Sequence, residues 1–419
     1  MSQQAITAES VSGQSARDWP SVFVRENITE IAGDVALRLF GSSLSLVNLV
    51  TFLYWIFVQP VYRVLAPTSS AICWPAVPRC GSLRVLSQED LYFAIVIASV
   101  ASVLNALWFM RGEVRRGYWW LATISAVKGL IVMMDFRLAL NQHYMYFWIA
   151  FAYLFVPRKR VCIGVLLVSF YVWAGLLKIS PGSGWLTGGG LYGRKPLGLP
   201  AAWVGAECLY VVALELIVAF GLMARNRWIF WSSIAQFYLF HIASFWVVGF
   251  FYPIEMFLLL SFMPLNRLFK LTAPSLSVRT GFISSSVPWM FGAAQLIPHL
   301  FPGNPSITGE GRMFALNMFD APVECHATAE RLIGGQSAPR AAITIPFLEA
   351  RLACDPMLYW SFATSYCESP RRPPGGDLNL YLESRPAGSS DFRPIVQIDH
   401  FCSRKPQYHV LRHNDWIQH

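Results

Sequence analysis

Residues 161–179 read VCIGVLLVSFYVWAGLLKI, an apolar run in which Lys178 is the only charged side chain. A helix needs about 20 mostly apolar residues to cross the hydrocarbon core of a bilayer. Further stretches share this character, so the sequence predicts about nine transmembrane helices. They are predicted at residues 44–65, 91–110, 118–134, 143–156, 161–179, 202–223, 228–247, 250–265 and 281–300.

The composition agrees with a membrane protein. Of 419 residues, 55% are hydrophobic and 14% are charged, whereas a soluble domain carries about a quarter of its residues as charged side chains. An ordinary cytosolic enzyme and a disordered chain are therefore excluded. The net charge of +9 does not indicate a nucleic-acid partner, because Lys and Arg lie in short clusters between apolar runs and not along one stripe.

The basic clusters predict the orientation. One set of short loops contains eleven Lys and Arg residues, and the alternate set contains five. Cytoplasmic loops carry the excess of Lys and Arg, so we expect a multi-pass protein with a cytoplasmic N-terminus and an outer C-terminal tail. The basic loops are 111–117, 157–160, 224–227 and 266–280, and the others are 66–90, 135–142 and 180–201.

Three regions follow from this topology. Residues 1–42 form a cytoplasmic segment, in which apolar positions at helical spacing over 22–40 predict an amphipathic helix on the membrane surface. Residues 43–301 form the transmembrane bundle, and 302–419 form an outer domain. The fold class is thus an all-α polytopic membrane bundle with a small β-rich C-terminal extramembrane domain.

The β-rich character of the outer domain rests on strand-like alternation between Pro- and Gly-rich breaks. Residues 341–350 (AAITIPFLEA), 378–384 (LNLYLES) and 394–401 (PIVQIDHF) show this pattern. A domain of this size buries only a small core, and disulfides would stabilise it.

Most cysteines fall in segments that the topology places outside. Such a distribution is typical of an oxidising compartment, where disulfides form, although free buried thiols are the alternative. Six cysteines allow 15 pairings, so the pairing stays open. The six candidates are Cys73, Cys80, Cys325, Cys354, Cys367 and Cys402, while Cys162 and Cys208 lie inside predicted spans.

Ionisable side chains inside a membrane are costly, so each one is a candidate functional residue. Several lie at a similar depth near the outer ends of their spans, which predicts one polar pocket open to the outer face. These residues are His143, Lys178, Glu207, His241 and Glu255. Lys128 lies near the middle of its span and Glu215 lies in the inner half of its own; both could instead be structural partners, of one another or of other polar groups.

Lys178 is distinguished by its surroundings. Residues 170–189 (FYVWAGLLKISPGSGWLTGG) run from an aromatic helix through Lys178 into a Ser-Pro-Gly break and then to Trp185 and more glycines. Such a break places a lysine at the mouth of an apolar pocket. Desolvation favours the neutral amine, which can act as a general base. The alternative is a lysine that extends from a helix end to the lipid headgroups.

These residues also carry a family resemblance. The pattern YVWAGLLKI followed by GSGW resembles the signature of the vitamin K-dependent γ-carboxylases and their bacterial relatives, the horizontally transferred transmembrane (HTTM) family. Residues 140–157 (LNQHYMYFWIAFAYLFVP) are similar to the family's Asn-x-His-Tyr segment. Residues 240–260 (FHIASFWVVGFFYPIEMFLLL) are similar to its helix with His, then Gly, Phe and Pro.

The resemblance implies a chemistry. Lys178 would be the base that deprotonates vitamin K hydroquinone, whose reaction with O2 would drive carboxylation by CO2 of a glutamyl side chain on a peptide or protein. His143 would support Lys178 or stabilise a developing oxyanion, and no metal is expected. The remaining pocket candidates are His241, Trp185, Tyr171, Glu207, Glu255 and Asn141.

Two other functions remain open. The chain could be a non-catalytic membrane protein that binds a lipid or quinone, or that binds a partner protein through its outer domain. A transporter is less favoured, because most ionisable side chains lie toward one face and not at the midplane. Membrane lipids are partners in every case. The sole permitted glycosylation sequon, at Asn27, lies on the predicted cytoplasmic side, which favours a bacterial plasma membrane over an endoplasmic reticulum.

Overall fold

The fold is that of a computed structural model, which is mostly helical. Residues 1–18, the Pro-Gly-Ser part of the break after Lys178 (181–183) and the segment 187–199, which contains the glycines at 188–190, lie outside the described residues. The described residues are 19–77, 79–180, 184–186, 200–269, 278–316, 323–334, 336–348, 352–369, 372–386 and 389–419.

Helices occupy every segment in which the sequence predicted a span. Three of the long helices begin at a side-chain cap, which satisfies a backbone N–H that has no partner inside the helix. Asp34 accepts from Leu37, Ser87 from Asp90 and Asn226 from Trp228. The helices are α1 (Trp19–Ala32), α2 (Val35–Phe57), α3 (Val61–Val64), α4 (Gln88–Met110), α5 (Val114–Met133), α6 (Asn141–Phe155), α7 (Lys159–Ile179), α8 (Ala201–Ala213), α9 (Arg227–Val248), α10 (Phe251–Leu260), α11 (Phe262–Leu268) and α12 (Val278–Leu296).

Four helices within the described residues are long and apolar enough to cross a membrane. The predicted count of nine spans is therefore not supported by length and composition. One reason is that α6 has only 15 residues. Another is that the segment predicted at 250–265 is divided at Ser261 into α10 and α11. The four helices are Val35–Phe57, Gln88–Met110, Lys159–Ile179 and Ala202–Gly221, the last of which continues α8 through a π-helical segment, Leu214–Val218.

The N-terminal region differs from the predicted single helix over 22–40. Helix α1 ends at Ala32, and α2 begins at Val35 with Asp34 as its cap. The Asp34 carboxylate also pairs with Arg160, with an Nη2–Oδ1 distance of 2.6 Å. Asp34 thus caps α2 and also binds Arg160, at the point where the chain turns between the two helices. Residues 35–42 therefore belong to α2, the first long helix, and not to a surface segment.

Described loop residues contact one another in two separate groups, at different ends of the bundle. At one end, the Lys159 backbone N–H donates to Glu30 at 2.8 Å, and Arg160 donates to the Phe269 carbonyl at 2.6 Å. At the other end, the Cys73 N–H donates to the Ser361 hydroxyl at 3.0 Å. The region around residue 73 and the C-terminal tail therefore share one end.

Asp135 is the centre of an ion cluster at the end of the bundle that contacts the C-terminal tail. Its buried carboxylate binds the guanidinium groups of Arg84 and Arg137 and accepts from the Ile72 N–H at 3.3 Å. Arg137 in turn donates to the backbone carbonyls of Val64 at 3.3 Å, Ser70 at 3.0 Å and Pro346 at 3.0 Å. One ion cluster thus fixes two loops of the bundle and a segment of the tail.

The tail folds around an antiparallel sheet in the order β2-β1-β4-β5, with β3 paired to β1. Leu378, Leu380 and Leu382 of β4 are buried on one face and share an apolar core with Leu358 of helix α14. The tail elements are α13 (Pro305–Thr308), β1 (Val323–Ile333), β2 (Gln336–Ser337), β3 (Ala341–Ala342), α14 (Pro356–Glu368), β4 (Asp377–Pro386), β5 (Arg393–Ile398) and α15 (Phe401–Arg404).

The strand predictions are confirmed in part. The predicted strand 378–384 lies within β4, and most of 394–401 lies in β5. The predicted strand 341–350 is wrong beyond the two residues of β3, and residues 349–350 lie outside the described residues. The sequence missed β1, the longest strand, and the 13-residue helix α14. The outer domain is therefore mixed α and β.

The six candidate cysteines form three disulfides, so that prediction is confirmed and the pairing is now defined. The bonds join Cys73 to Cys80, Cys325 to Cys354 and Cys367 to Cys402. Cys162 and Cys208 are buried free thiols within helices. The second disulfide links β1 to the segment before α14, and the third links α14 to α15.

The bundle and the outer domain share a core. Phe52 and Val132 of the bundle belong to the same apolar cluster as Leu358 and Leu380 of the tail. A second apolar cluster fills the bundle interior around Phe40, with α2, α6, α7 and α11 contributing. Burial of apolar surface therefore joins the C-terminal domain to helices α2 and α5.

Candidate functional site

Lys178 is buried at the end of α7 in an ion pair with Glu215. The Lys178 Nζ donates to both carboxylate oxygens, at 2.8 Å to Oε1 and 2.7 Å to Oε2. Each residue is 3% exposed. A lysine that merely extended to the lipid headgroups would expose its amine, so this geometry disfavours that alternative.

The backbone around Glu215 explains how the pair forms. Glu215 lies in the π-helical segment Leu214–Val218, and such segments shift the register of the residues that follow. Gly175 stands one turn before Lys178 and directly faces Leu216 and Glu215. Because Gly175 has no side chain, α7 can approach the π-helical segment closely at this point.

Trp185 lies against the ion pair. Its ring centroid is 5.0 Å from the Lys178 Nζ, and its indole N–H donates to the Cys208 carbonyl at 3.1 Å. The Trp185 ring packs in a small apolar cluster with Val204 and Val212. An aromatic ring this close to an ammonium group makes a cation–π contact. Trp185 therefore lies beside the Lys178 ammonium group.

Tyr171 and His241 form a second buried contact on the same helix as Lys178. The Tyr171 hydroxyl and the His241 Nε2 share a hydrogen bond of 2.8 Å, and within the described residues the His241 Nδ1 has no hydrogen-bond partner. Tyr171 lies two turns before Lys178 along α7. These two residues therefore extend the polar region around the ion pair. Glu207 is half-buried on α8 and takes part neither in the Tyr171–His241 hydrogen bond nor in the Lys178–Glu215 pair.

Glu255 belongs to a different group of residues. Its Oε1 accepts from the Thr51 hydroxyl at 2.9 Å, and the Thr51 oxygen accepts from the Lys128 Nζ at 2.7 Å. Of the two alternatives for Lys128 and Glu215, the contacts agree with pairing to other polar groups and not with pairing to one another. Lys128 is linked to Glu255 and Glu215 binds Lys178, because α5 packs beside α2 whereas the π-helical segment packs beside α7.

His143 and Asn141 line a cavity of about 370 Å³ between the bundle and the outer domain. His143 is 1% exposed, and its ring meets the Trp55 ring edge-on with centroids 5.5 Å apart. Of the predicted pocket residues in the described part of the chain, only these two line this cavity. The contacts thus separate His143 from the group around Lys178, instead of placing all the candidates in one pocket.

The cavity wall is mostly apolar, with a polar side. Leu140, Phe147 and Met313 supply apolar surface, while Arg312 and Asp355 bring charged groups from the tail. Burial acts to raise the pKa of Asp355, and the nearby Arg312 guanidinium opposes this; the net pKa is above its usual value. Among the described residues, no three His, Cys, Asp or Glu side chains come close enough together to hold a metal ion.

Sequence reasoning assigned no functional role to two residues of these sites. Glu215 was recognised only as a possible structural partner, and Thr51 was not recognised. The signal for Glu215 was available, because a carboxylate in an apolar helix is costly unless it is paired. Thr51 gave no signal, since a threonine in an apolar helix usually bonds to its own backbone.

Comparisons of the chain with models of protein families, with curated proteins and with solved structures find no match.

Proposed function

We propose that this chain is an integral membrane enzyme of the vitamin K-dependent carboxylase type, with Lys178 as the base that deprotonates a quinol. The observation that carries the proposal is the buried Lys178–Glu215 pair, with 2.7 Å between Nζ and Oε2. Paired ionisable groups in an apolar site are typical of proton-transfer centres. The family resemblance around Lys178 supports the same residue.

Glu215 gives the lysine a way to become a base. An ammonium group has no lone pair, so Lys178 must first lose a proton before it can accept one. The hydrogen bond to Glu215 provides the acceptor, and a neutral amine beside a neutral carboxylic acid avoids the cost of burying two charges. The amine then accepts the hydroxyl proton of the substrate, and the ammonium–carboxylate pair forms again when Glu215 releases its own proton to water, so that one proton is released for each quinol deprotonated.

The residues around the pair suit a quinol ring. Trp185 offers an aromatic face in an apolar cluster, and Tyr171 offers a hydroxyl on the same helix. When bound, a reduced vitamin K-type quinol would supply the electrons for O2 reduction and the driving force for adding CO2 to a glutamyl side chain. His241 would orient Tyr171 through their hydrogen bond. His143 and Asn141 are assigned to the separate cavity, and no metal is required.

The proposed setting is a bacterial plasma membrane with the N-terminus in the cytoplasm and the outer domain outside. The excess of basic residues in one set of loops supports this orientation. Three disulfides in the segments assigned to the outer side support an oxidising compartment there. A glutamate-containing peptide or protein would reach the enzyme from that side.

The test is an epoxidation assay on the purified chain in lipid nanodiscs with reduced vitamin K and O2. The wild type is expected to form the epoxide, and Lys178→Met is expected to lose the activity. Lys405→Met is the matched control, because it removes an exposed lysine of the outer domain. Epoxide formation by Lys178→Met at the wild-type rate would refute the assigned role.

The second candidate function is a non-catalytic membrane protein that binds a lipid or a quinone. The cavity of about 370 Å³ favours it, because it is large enough for a small ligand and its wall is mostly apolar. Quinone titration of the same nanodiscs, followed by tryptophan fluorescence, separates the two candidates. Saturable binding without epoxide formation in the folded wild type would select the binding protein.

A further inference from the structure

A second polar cluster lies inside the bundle, away from Lys178. The chain of hydrogen bonds runs from Lys128 through the Thr51 hydroxyl to Glu255, with distances of 2.7 and 2.9 Å. All three side chains are buried. Within the described residues, the second carboxylate oxygen of Glu255, Oε2, has no hydrogen-bond partner. The enzyme mechanism proposed above uses none of these groups.

Tyr146 packs against the lysine of this cluster. The Lys128 Nζ lies 3.9 Å from the centre of the Tyr146 ring. The Tyr146 hydroxyl contacts the Ser125 hydroxyl at 2.6 Å and accepts from the Asn48 amide at 2.6 Å. In the described part of the chain, the Asn48 carbonyl oxygen has no partner. The cluster therefore contains two buried oxygen atoms, on Asn48 and Glu255, that accept no hydrogen bond from the described residues.

His143 connects this cluster to the outer cavity. The side chain lies one helical turn before Tyr146, whose ring contacts Lys128, and it also lines the cavity. Among the described residues, neither His143 ring nitrogen has a hydrogen-bond partner, and the indole nitrogen of the adjoining Trp55 has none. A buried imidazole with two unsatisfied nitrogens is unusual in a folded protein.

These unsatisfied atoms have a common explanation. A buried polar group without a partner is energetically costly, and four residues here carry such atoms. Ordered water is the usual partner of buried polar groups that protein atoms leave unsatisfied. The Glu255 carboxylate, the Asn48 carbonyl and the His143 ring offer the two to four polar contacts that a buried water requires.

We propose that ordered water joins Glu255 to His143 and that the Lys128–Thr51–Glu255 cluster exchanges protons with the outer cavity through this relay. A proton leaves the Glu255 carboxyl group for the adjoining water, which passes one of its own protons to a His143 ring nitrogen. The imidazolium then releases the proton on its other nitrogen to the cavity. A proton from the cavity returns to Glu255 by the same steps in reverse, so each O–H or N–H bond that breaks is matched by one that forms.

Titratable and charged side chains on the helices around the proposed relay set its electrostatic environment. Helix α5 contributes Lys128 and α10 contributes Glu255, while the titratable side chains of α2 are Arg38 and Tyr54. Helix α6 contributes Tyr146 beside His143. On the cavity side the charged groups are Arg312 and Asp355. Lys128 would stabilise the carboxylate that remains when the proton leaves Glu255.

Infrared spectroscopy of the full chain in nanodiscs, without quinol, tests the relay independently of the proposed enzyme activity. The Glu255 carboxyl signal is identified by its loss in Glu255→Gln. In the wild type this signal is expected to respond reversibly to pH steps and to exchange in D2O. In His143→Phe the signal is expected to remain while its response to pH is lost.

His299→Phe is the matched control, because His299 is an exposed histidine at the same end of the bundle. It is expected to respond as the wild type does. A Glu255 signal in His143→Phe that responds at the wild-type rate would overturn the relay through His143. If Glu255→Gln does not fold, a high-resolution structure of the wild type decides the matter, because the absence of water density between Glu255 and His143 would also overturn the proposal.

Discussion

Gly175 lies directly against Glu215, since a Cβ atom added to Gly175 would approach the Glu215 Cβ to 3.1 Å and the Leu216 Cδ2 to 2.8 Å. Helix α7 and the π-helical segment are therefore packed at the closest distance that their side chains permit. The Lys178–Glu215 ion pair is formed by these same two elements. Its geometry consequently depends on a residue that takes no part in the chemistry.

Gly175→Val is expected to destabilise the protein by about 1–3 kcal/mol, because overpacking forces neighbouring groups apart. The variant should also lose epoxidation activity, since the Nζ–carboxylate contacts would lengthen. Thermal unfolding in detergent and the epoxide assay measure the two effects. The control is Gly205→Ala, because nothing lies within 4 Å of a Cβ at that position. Equal stability of Gly175→Val and the control would contradict the close approach.

Removal of one member of the buried ion pair should cost more than removal of both. Glu215→Leu leaves the Lys178 ammonium group buried without its carboxylate, and breaking such a pair costs about 3–5 kcal/mol. Lys178→Met combined with Glu215→Leu should recover much of that loss, because no unpaired charge remains. Melting temperatures of the two single variants and the double variant measure the coupling. Strictly additive losses would show that the residues do not interact.

Asp135→Asn is expected to release the outer end of the bundle. The substitution leaves the guanidinium groups of Arg84 and Arg137 without their shared carboxylate, with an expected loss of about 3–5 kcal/mol. Limited proteolysis of the tail should then become faster. Glu113→Gln is the contrasting variant, because its ion pair with Arg116 is exposed and should contribute about 0–1 kcal/mol.

The stability of the outer domain should decrease in acid through Asp377. Burial acts to raise the pKa of this carboxyl, but hydrogen bonds from the Ser403 hydroxyl and from the Leu378 and Cys402 N–H groups outweigh it, so the net pKa is lowered. A folded-state pKa below the unfolded value means that the stabilisation is present above about pH 4 and is lost as the pH falls through the folded pKa.

Asp377→Asn should therefore destabilise the domain at pH 7 and make less difference at pH 3. Tryptophan fluorescence during chemical unfolding at the two pH values measures this difference. Asp391→Asn, which replaces an exposed carboxylate of the same domain, is the control. A variant whose loss of stability is the same at both pH values would show that Asp377 acts through packing and not through its charge.

The proposed orientation can be tested with single cysteines at exposed positions on the two ends. A membrane-impermeant maleimide should label Leu411→Cys in intact cells and should label Arg116→Cys only after permeabilisation. Both positions are exposed, and the native free thiols of Cys162 and Cys208 are buried, so their background labelling should be low. Labelling of Arg116→Cys alone in intact cells would reverse the topology.

The sequence predicted well the features that depend on local patterns. Apolar runs placed the helices, alternation placed the strands of β4 and β5, and the distribution of cysteines predicted that all six would be oxidised. The helices and strands follow from the burial pattern within one segment, and the oxidised cysteines follow from the compartment in which their segments are expected to lie. Strand β1 was missed because its exposed and half-buried positions give no clear alternation, and its pairing with β4 along ten residues stabilises it.

The pairing of charges could not be predicted in the same way. Depth along a helix indicated that Lys178, Glu215, Lys128 and Glu255 were candidates, but partners are chosen by which helices are neighbours. The π-helical segment also changes the direction in which Glu215 points, and its sequence LELIV carries no signal for an extra residue per turn. Family resemblance drew attention to Lys178 but not to the acid that binds it.

The contacts of Arg137 have a consequence for the order of assembly during synthesis. Its guanidinium group is satisfied partly by the Pro346 carbonyl, which is made more than two hundred residues later and must first reach the same side of the membrane. The outer end of the early helices therefore remains incomplete until the ribosome has nearly finished the chain. A nascent protein halted before residue 346 would hold a buried charge without its full set of acceptors, and quality-control proteases would encounter it in that state.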